Sequence, residues 1–332
     1  MNSTFRINMI GISSPLLRGG FRWGILLLLF VFQSCKQNSG DKNENFKEQM
    51  AEYTESIDKN PNKPQPYIHR AKAYFKTNQL EPAIRDMEKA VSLDTTKADN
   101  YLLLAEMYEK RPYVKGVINA LEHVIELDPK DKKTALKLGI LNFQVKNRDA
   151  SFKYLNMALR LDPTNAEAFY YRGYNYREVE MPDKAIENFQ RAIDLKPDYF
   201  DAFLQMGLLH AEKGDIKAEG YYSSALRLQP NNLKALYARG MFYQENDSNQ
   251  KAIEDFEKIL TFDPDFLTTQ YNIGYNYFLL KEYQKAIPYL TKAIQLHPEN
   301  PHPYKTRALC FAAMKRTAEA AEDNKRVQEL EK

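Results

Sequence analysis

The chain has 332 residues, of which 43% are hydrophobic and 27% are charged, so it holds ample apolar material for a core. Its formal net charge is +3, and Arg6, Arg18 and Arg22 supply that excess because the first 34 residues contain no acidic residue. Without these three, the basic residues equal the 44 acidic ones in number, which leaves no bulk basic surface for nucleic acid. We therefore predict no nucleic-acid partner.

The first 34 residues predict a secretory signal. Arg18 and Arg22 precede the apolar residues 24–32, and Ser34 and Cys35 follow shortly after. This apolar run is too short to span a bilayer, which takes about 20 residues as a helix. An apolar run that ends at a cysteine resembles the lipobox of bacterial lipoproteins, and its looser form resembles those of the Bacteroidota type. The resemblance implies removal of residues 1–34 and acylation of Cys35, as with palmitate. A signal without lipidation is the alternative, and Met9 is an alternative start to Met1.

Residues 35–45 predict a lipidated cysteine followed by a flexible tether. Residues 36–45 contain no apolar side chain and cannot be buried in a core. Lys36 stands where some enteric lipoproteins carry an aspartate that retains them in the inner membrane, so the resemblance favours the outer membrane. We expect a chain anchored by lipid in the bacterial cell envelope.

A single capping helix is predicted within residues 46–63, because Met50, Tyr53 and Ile57 recur at helical spacing before Pro61. From residue 64 onward, a unit of 34 residues recurs eight times and covers about four-fifths of the chain. The predicted repeats are residues 64–97, 98–131, 132–165, 166–199, 200–232, 233–266, 267–300 and 301–332.

The repeat at 166–199 displays the pattern most completely. Positions 4, 8, 11, 20, 24, 27 and 32 of the unit are Phe169, Gly173, Tyr176, Ala185, Phe189, Ala192 and Pro197. This spacing resembles the tetratricopeptide repeat (TPR), a helix–turn–helix unit that stacks on its neighbours. The resemblance implies an all-α fold, an α-solenoid of tandem helix pairs wound into a right-handed superhelix. Position 8 is glycine or alanine in every repeat, which predicts close contact between the two helices there.

No catalytic constellation is present in the sequence. It lacks a phosphate-binding glycine-rich loop, an HExxH motif and a GxSxG motif. The five histidines do not pair at metal-ligand spacing, and Cys310 is the single cysteine besides Cys35. We predict that the protein is not an enzyme and has no catalytic residue, metal site or cofactor.

Positions 2, 5, 9 and 12 of each repeat share one face of its first helix, and in the TPR family this face lines a concave groove. The candidate partner-binding residues are Tyr170, Tyr174, Arg177, Tyr237, Met241, Tyr271, Tyr275 and Phe278. Any one of these side chains could instead fill a gap between first helices, but recurrence at one face favours recognition. No asparagine occurs at position 9, so the family's carboxylate clamp is not expected.

These patterns predict a non-enzymatic scaffold or adaptor that binds an envelope protein or peptide of unknown identity in its groove. The alternative is an envelope lipoprotein that binds a glycan or small molecule, with the aromatic side chains stacking on sugars.

Overall fold

The computed structural model describes residues 37–266 and 268–332, which form 17 helices and no strand. The predicted all-α solenoid is confirmed. The helices are α1 Gln37–Lys59, α2 Pro64–Lys76, α3 Leu80–Leu93, α4 Ala98–Lys110, α5 Val114–Leu127, α6 Lys132–Gln144, α7 Arg148–Leu161, α8 Ala166–Glu178, α9 Pro182–Leu195, α10 Phe200–Glu212, α11 Lys217–Leu228, α12 Leu233–Glu245, α13 Asn249–Leu260, α14 Thr269–Leu279, α15 Tyr283–Leu296, α16 Pro301–Ala313 and α17 Thr317–Leu330. The predicted signal and Cys35 lie outside the described residues.

The predicted flexible tether is wrong from Gln37 onward, because α1 begins there and continues without a break into the predicted capping helix. Residues 37–45 contain no proline, and extending an existing helix fixes one residue for each hydrogen bond gained. A segment without apolar side chains can therefore be helical when an amphipathic helix follows it. Further along, α1 packs against α2, with the rings of Tyr53 and His69 5.7 Å apart.

Each of the following helix pairs has a first helix, an even-numbered one, and a second helix, an odd-numbered one. Asparagine caps several first helices: Asn165 accepts a hydrogen bond from the backbone of Ala168 at 2.8 Å, and Asn232 does so from Ala235 at 3.1 Å. In seven of the turns between the two helices, one residue has φ between 55° and 67°. Such a left-handed residue reverses the chain within a few residues.

The two helices of a pair approach most closely at position 8, as the small residues there predict. A Cβ atom added to Gly240 would lie 2.7 Å from Cε1 of Phe256, and one added to Gly274 would lie 2.7 Å from Cγ of Leu290. No real Cβ atom sits that close to another carbon atom, so a larger side chain would force the helices apart. Glycine is therefore a packing requirement at Gly240 and Gly274, whereas three other repeats accommodate alanine at position 8.

The helix pairs stack in chain order, each helix packing against the next. First helices of successive pairs also contact one another, as α6 does with α8, α10 with α12 and α14 with α16. In the described part of the chain, the backbones of successive second helices do not come as close, although some of their side chains reach one another. Because a curved stack is tighter on its concave side, the first helices line that side.

On the side away from the concave face, hydrogen bonds join each repeat to the preceding second helix. We call these joint bonds. Seven of the eight end at position 25 of the preceding repeat, and the first ends at Thr54 of the capping helix α1. In four repeats the donor is an arginine at position 7, whose Nη1 bonds Thr54, Asn156, Ser223 or Thr291. The four arginines are Arg70 at 3.0 Å, Arg172 at 2.9 Å, Arg239 at 3.0 Å and Arg307 at 2.8 Å.

The other four repeats form the joint bond with a tyrosine hydroxyl. Its acceptor at position 25 is then a long acid or amide, not a short side chain. The pairs are Tyr108 with Glu88 at 2.6 Å, Tyr154 with Glu122 at 3.0 Å, Tyr221 with Gln190 at 3.3 Å and Tyr289 with Glu257 at 3.0 Å. Two different chemical solutions therefore serve the same junction.

Candidate partner-binding groove

The eight candidate residues lie on three first helices, α8, α12 and α14, and each is half-buried. Their side chains therefore divide their surface between packing contacts and solvent. The helix α10, with Leu204 and Leu208 on the same face, separates α8 from α12. The structure thus arranges the candidates as one group on α8 and a second group on α12 and α14.

On α8, Tyr170 is the most firmly packed of the candidates. Its ring lies 5.6 Å from that of Phe189 and 5.0 Å from that of Tyr199, measured between centroids. Burial raises the pKa of its hydroxyl above the ordinary tyrosine value. Tyr174 lies beside it at 6.0 Å and reaches Phe143 of α6 at 5.2 Å. Of the two, Tyr170 mainly fills space between helices.

Arg177 spans two successive first helices. Its Nη1 donates to Oε1 of Gln205 and its Nη2 donates to Oε1 of Glu212, both on α10. The side chain of Arg177 is 25% exposed and that of Glu212 is 55% exposed. The guanidinium is thus already engaged within the chain, and it ties α8 to α10 on the concave side.

On α12, Tyr237 and Met241 both contact the next first helix. The hydroxyl of Tyr237 lies 3.0 Å from Oγ1 of Thr268, and Nδ2 of Asn272 donates to it at 3.3 Å. The same Nδ2 lies 3.4 Å from Sδ of Met241. These two candidates hold adjacent repeats together as well as facing the groove.

An aromatic row runs along α14 on its concave face. We define the α14 row as Tyr271, Tyr275 and Phe278, whose spacing of four and three residues places them on one side of the helix. The rings of Tyr271 and Tyr275 stack at 5.8 Å with an interplanar angle of 25°, and Phe278 follows at 6.2 Å. The next first helix continues this surface with Leu309, which is 50% exposed.

A buried asparagine, Asn276, joins the helix that carries the α14 row to the preceding first helix. Asn276 is fully buried, and its Nδ2 donates to Oε1 of Gln244 at 2.6 Å and to the backbone oxygen of Asn272 at 2.7 Å. Asn175 occupies the same position on α8 and donates to Oγ of Ser151 at 2.7 Å. The tetrapeptide Gly-Tyr-Asn-Tyr recurs at residues 173–176 and 274–277. In both copies the buried asparagine fixes the helix that presents Tyr174 or Tyr275.

The residues that the structure describes contain no group of three or more His, Cys, Asp or Glu side chains that could hold a metal ion. Within the same part of the chain, no helix has both the length and the apolar content to cross a membrane. His210 is 7% exposed, bonds Asp215 through Nδ1 at 2.8 Å and stacks on Tyr221 at 5.0 Å. It lies within the packed interior of its repeat.

Comparisons with known proteins agree with this geometry. Family models described as tetratricopeptide repeat match residues 64–97, 233–266 and 268–300, and one described as TPR repeat matches residues 183–214. A DnaJ homolog subfamily C member 7 homolog from Schizosaccharomyces pombe is 31% identical over 124 residues, which are 32% of this chain and 26% of that protein. Hsp70-Hsp90 organizing protein 3 from Arabidopsis thaliana is 29% identical over 84 residues, which are 25% of this chain and 15% of that protein. The matched stretches thus span about a quarter or less of these curated relatives.

Among solved structures, the C-terminal part of a TPR repeat-containing protein from Cytophaga hutchinsonii superposes with a TM-score of 0.56. The two are 20% identical, and the match covers 70% of this chain and 96% of that one, which shows a shared fold. Helix pairs, close packing at position 8 and the family models all lead to one assignment. The chain belongs to the tetratricopeptide-repeat family.

Proposed function

We propose that the chain is a non-enzymatic scaffold that holds an extended segment of a partner protein in the groove lined by its first helices. The α14 row carries the proposal. Its three rings are half-buried and lie on the concave face. Tyr271 and Phe278 also pack against the core cluster of α15 and α16, whereas Tyr275 takes no part in that cluster. Aromatic rings supply contact area with little conformational entropy to lose, which suits them to recognition.

The family supports the same role. Protein–protein interaction is the general activity of TPR proteins, and one curated relative is named for organizing Hsp70 and Hsp90. For this chain, we propose a single partner segment that contacts Tyr174 in the middle of the groove and Tyr275 near its C-terminal end. The segment would also contact the exposed side chain of Leu309.

The double substitution Tyr174→Ala with Tyr275→Ala tests the groove. Removing an aromatic contact at the centre of an interface costs about 2 kcal/mol or more of binding free energy. Affinity purification from the native host should therefore retain the partner with the wild-type chain and lose it with the double variant. Phe262→Ala is the control, since Phe262 is 54% exposed and follows a second helix.

Each outcome of that purification has a defined meaning. If the double variant keeps the partner at the wild-type level, the groove is not the binding site. If it loses helicity or melts far below the Phe262→Ala control, the two tyrosines serve folding and the proposal fails. Binding of oligosaccharides in place of a protein, abolished by the same double substitution, would replace the scaffold with a glycan-binding protein.

We further propose that the scaffold works at the bacterial envelope, where a lipid on Cys35 holds it at the membrane. The support is the sequence pattern of Arg18, Arg22, the apolar residues 24–32 and Cys35. Cys35→Ser should move the chain from the membrane fraction to the soluble fraction of the host. A Cys310→Ser variant serves as the control, and membrane retention of Cys35→Ser would contradict lipid anchoring.

A further inference from the structure

The concave bridge made by Arg177 has an incomplete counterpart one repeat further along. In the complete bridge, a cation at position 12 of one repeat binds residues at positions 6 and 13 of the next, which are Gln205 and Glu212. One repeat later, position 13 is again a glutamate, Glu245. Position 12, where the arginine would stand, is Ala211, and position 6 is Ala238. The acid is retained while the cation and the amide are both replaced by methyl groups.

Glu245 has no hydrogen-bond or ion-pair partner among the residues that the structure describes, although its side chain is accessible from solvent. Partial burial raises the pKa of its carboxyl group, and no neighbouring cation offsets that effect. Burial raises the pKa of Tyr222, and the charges of Glu212 and Glu245 raise it further while Arg177 lowers it, so all three charged groups lie near this residue. Of the two carboxylates, Arg177 forms an ion pair with that of Glu212 and not with that of Glu245.

Within the described part of the chain, no lysine or arginine lies close enough to Glu245 to lower the pKa of its carboxyl group. Lys234 stands at the start of α12, eleven residues before Glu245, which is roughly 16 Å along the helix axis. Asp201, at the start of α10, is a second acidic group whose pKa burial raises, and Lys196 and Lys234 offset part of that rise. Asp201 and Lys234 thus lie together at the far end of the groove between α10 and α12, and neither acts on the carboxyl group of Glu245.

We propose that the partner segment inserts an arginine side chain against Ala211 and Ala238, where its guanidinium binds the carboxylate of Glu245. The two alanines stand at the positions that Arg177 and Gln205 occupy in the complete bridge, and both are only partly buried. A planar guanidinium suits this place because it forms directed, charge-assisted hydrogen bonds with a carboxylate. This inference rests on the proposed function, since it specifies one side chain of the segment held in the groove.

Binding of a hexa-arginine peptide to the full chain, kept in solution with mild detergent, tests the site. Glu245→Gln should weaken binding about tenfold, whereas Glu254→Gln, an equal loss of charge on the exposed face of α13, should change it less than twofold. Ala211→Arg should also weaken binding about tenfold, because the chain's own guanidinium would occupy Glu245. A hexa-citrulline peptide, which is neutral but similar in shape, should bind the wild-type chain no better than hexa-arginine binds Glu245→Gln.

Equal binding by Glu245→Gln and Glu254→Gln would overturn the inference, and so would unchanged binding by Ala211→Arg with its helicity intact. Failure of the inference can be told apart from failure of the scaffold. If the double variant Tyr174→Ala with Tyr275→Ala loses the cellular partner but Glu245→Gln keeps it, binding in the groove is supported and recognition of an arginine by Glu245 is contradicted. If hexa-arginine binding depends on Glu245 while the wild-type chain retains no cellular partner, the arginine site is supported and the scaffold function is contradicted.

Discussion

The guanidinium of Arg239 donates a hydrogen bond to each carboxylate oxygen of Asp255, from Nε and from Nη2, both at 2.7 Å. The two side chains are 21% and 7% exposed, so the pair is largely removed from water. Asp255 raises the pKa of Arg239 by this hydrogen bonding, against the opposite effect of burial. The same pair forms between Arg70 and Asp86, and between Arg307 and Asp323.

We expect Arg239→Leu to lower the free energy of unfolding by about 3–5 kcal/mol, because it leaves the carboxylate of Asp255 buried without a partner. Arg239→Leu combined with Asp255→Leu should lose markedly less, since no charge then remains buried. Urea denaturation followed by far-UV circular dichroism measures both, because the single tryptophan, Trp23, precedes the repeats. A double variant as unstable as the single one would show that the ion pair itself is strongly favourable.

The repeat at 166–199 has the arginine without the acid. Nε of Arg172 donates to Oδ1 of Asn188 at 2.8 Å, and burial lowers the pKa of Arg172 where the acids of other repeats raise it. We expect Asn188→Asp to raise the free energy of unfolding by about 1 kcal/mol, through a charge-assisted second bond. Asp255→Asn, the reverse exchange in another repeat, is the control and should lower the free energy of unfolding. A destabilised Asn188→Asp variant would mean that the cost of burying the carboxylate exceeds the gain.

Two glycines in similar helices should respond oppositely to alanine. Gly240→Ala places a Cβ atom 2.7 Å from Phe256 and should cost about 1–3 kcal/mol of stability. Gly220 on α11 has nothing within 4 Å of such an atom, so Gly220→Ala should gain up to about 1 kcal/mol from helix propensity. Thermal melts of the two variants give the comparison. A stabilised Gly240→Ala variant would contradict the close packing of α12 on α13.

Glu219 and Glu245 should contribute to the pH dependence of stability with opposite signs. Hydrogen bonds from Lys251 and Tyr243 lower the pKa of Glu219 below 4.5, so the folded state favours its ionised form. The resulting stabilisation is present when the pH lies above the pKa of Glu219 in the unfolded state. It is lost as the pH falls through the pKa of Glu219 in the folded state. Burial raises the pKa of Glu245 above 4.5, so its ionisation disfavours the folded state as the pH rises.

At pH 7 we therefore expect Glu219→Gln to be less stable than the wild type, by under about 1 kcal/mol, and Glu245→Gln to be more stable. Both differences should narrow as the pH falls below 4.5, where the wild-type carboxyl groups become protonated. Urea denaturation at a series of pH values from 3 to 7 measures them. Differences of the same sign for the two variants would contradict the opposite environments.

The fold could be predicted from the sequence because its determinants are local and repeated. A small residue such as Gly240 recurs at position 8 of every unit, and a large apolar residue such as Phe256 recurs at position 24 of all but the last. One correct alignment of the unit therefore places the helices of all the repeats. The joint bonds could not be read in the same way, since Arg239 meets Asp255 and Ser223 in two different helices, 16 residues away in each direction. The recurrence of arginine at position 7 with aspartate at position 23 was the available signal.

The candidate groove was only partly predictable for a related reason. Helical spacing places Tyr170 and Tyr174 on one face, but it does not tell which ring a neighbouring helix covers. Tyr199, which packs on Tyr170, lies in the connection between repeats, where no periodic pattern applies. Glu245 could not be singled out from the sequence, because an unpaired glutamate on a helix is common. It stands out only when Ala211 and Glu245 are compared with Arg177 and Glu212, which form an ion pair one repeat earlier.

The two kinds of joint bond also encode the order of the repeats. A second helix that ends its joint in Thr54 or Ser223 fits an incoming arginine, whereas one with Glu122 or Glu257 fits an incoming tyrosine. Along the chain the donors run Arg, Tyr, Tyr, Arg, Tyr, Arg, Tyr, Arg. A stack that slipped by one unit during folding would exchange the type of donor at most of these junctions, so that tyrosines would face the shorter side chains that arginines reach in the native stack. We therefore expect the joint bonds to favour the native order of the repeats over a stack in which one repeat has been skipped.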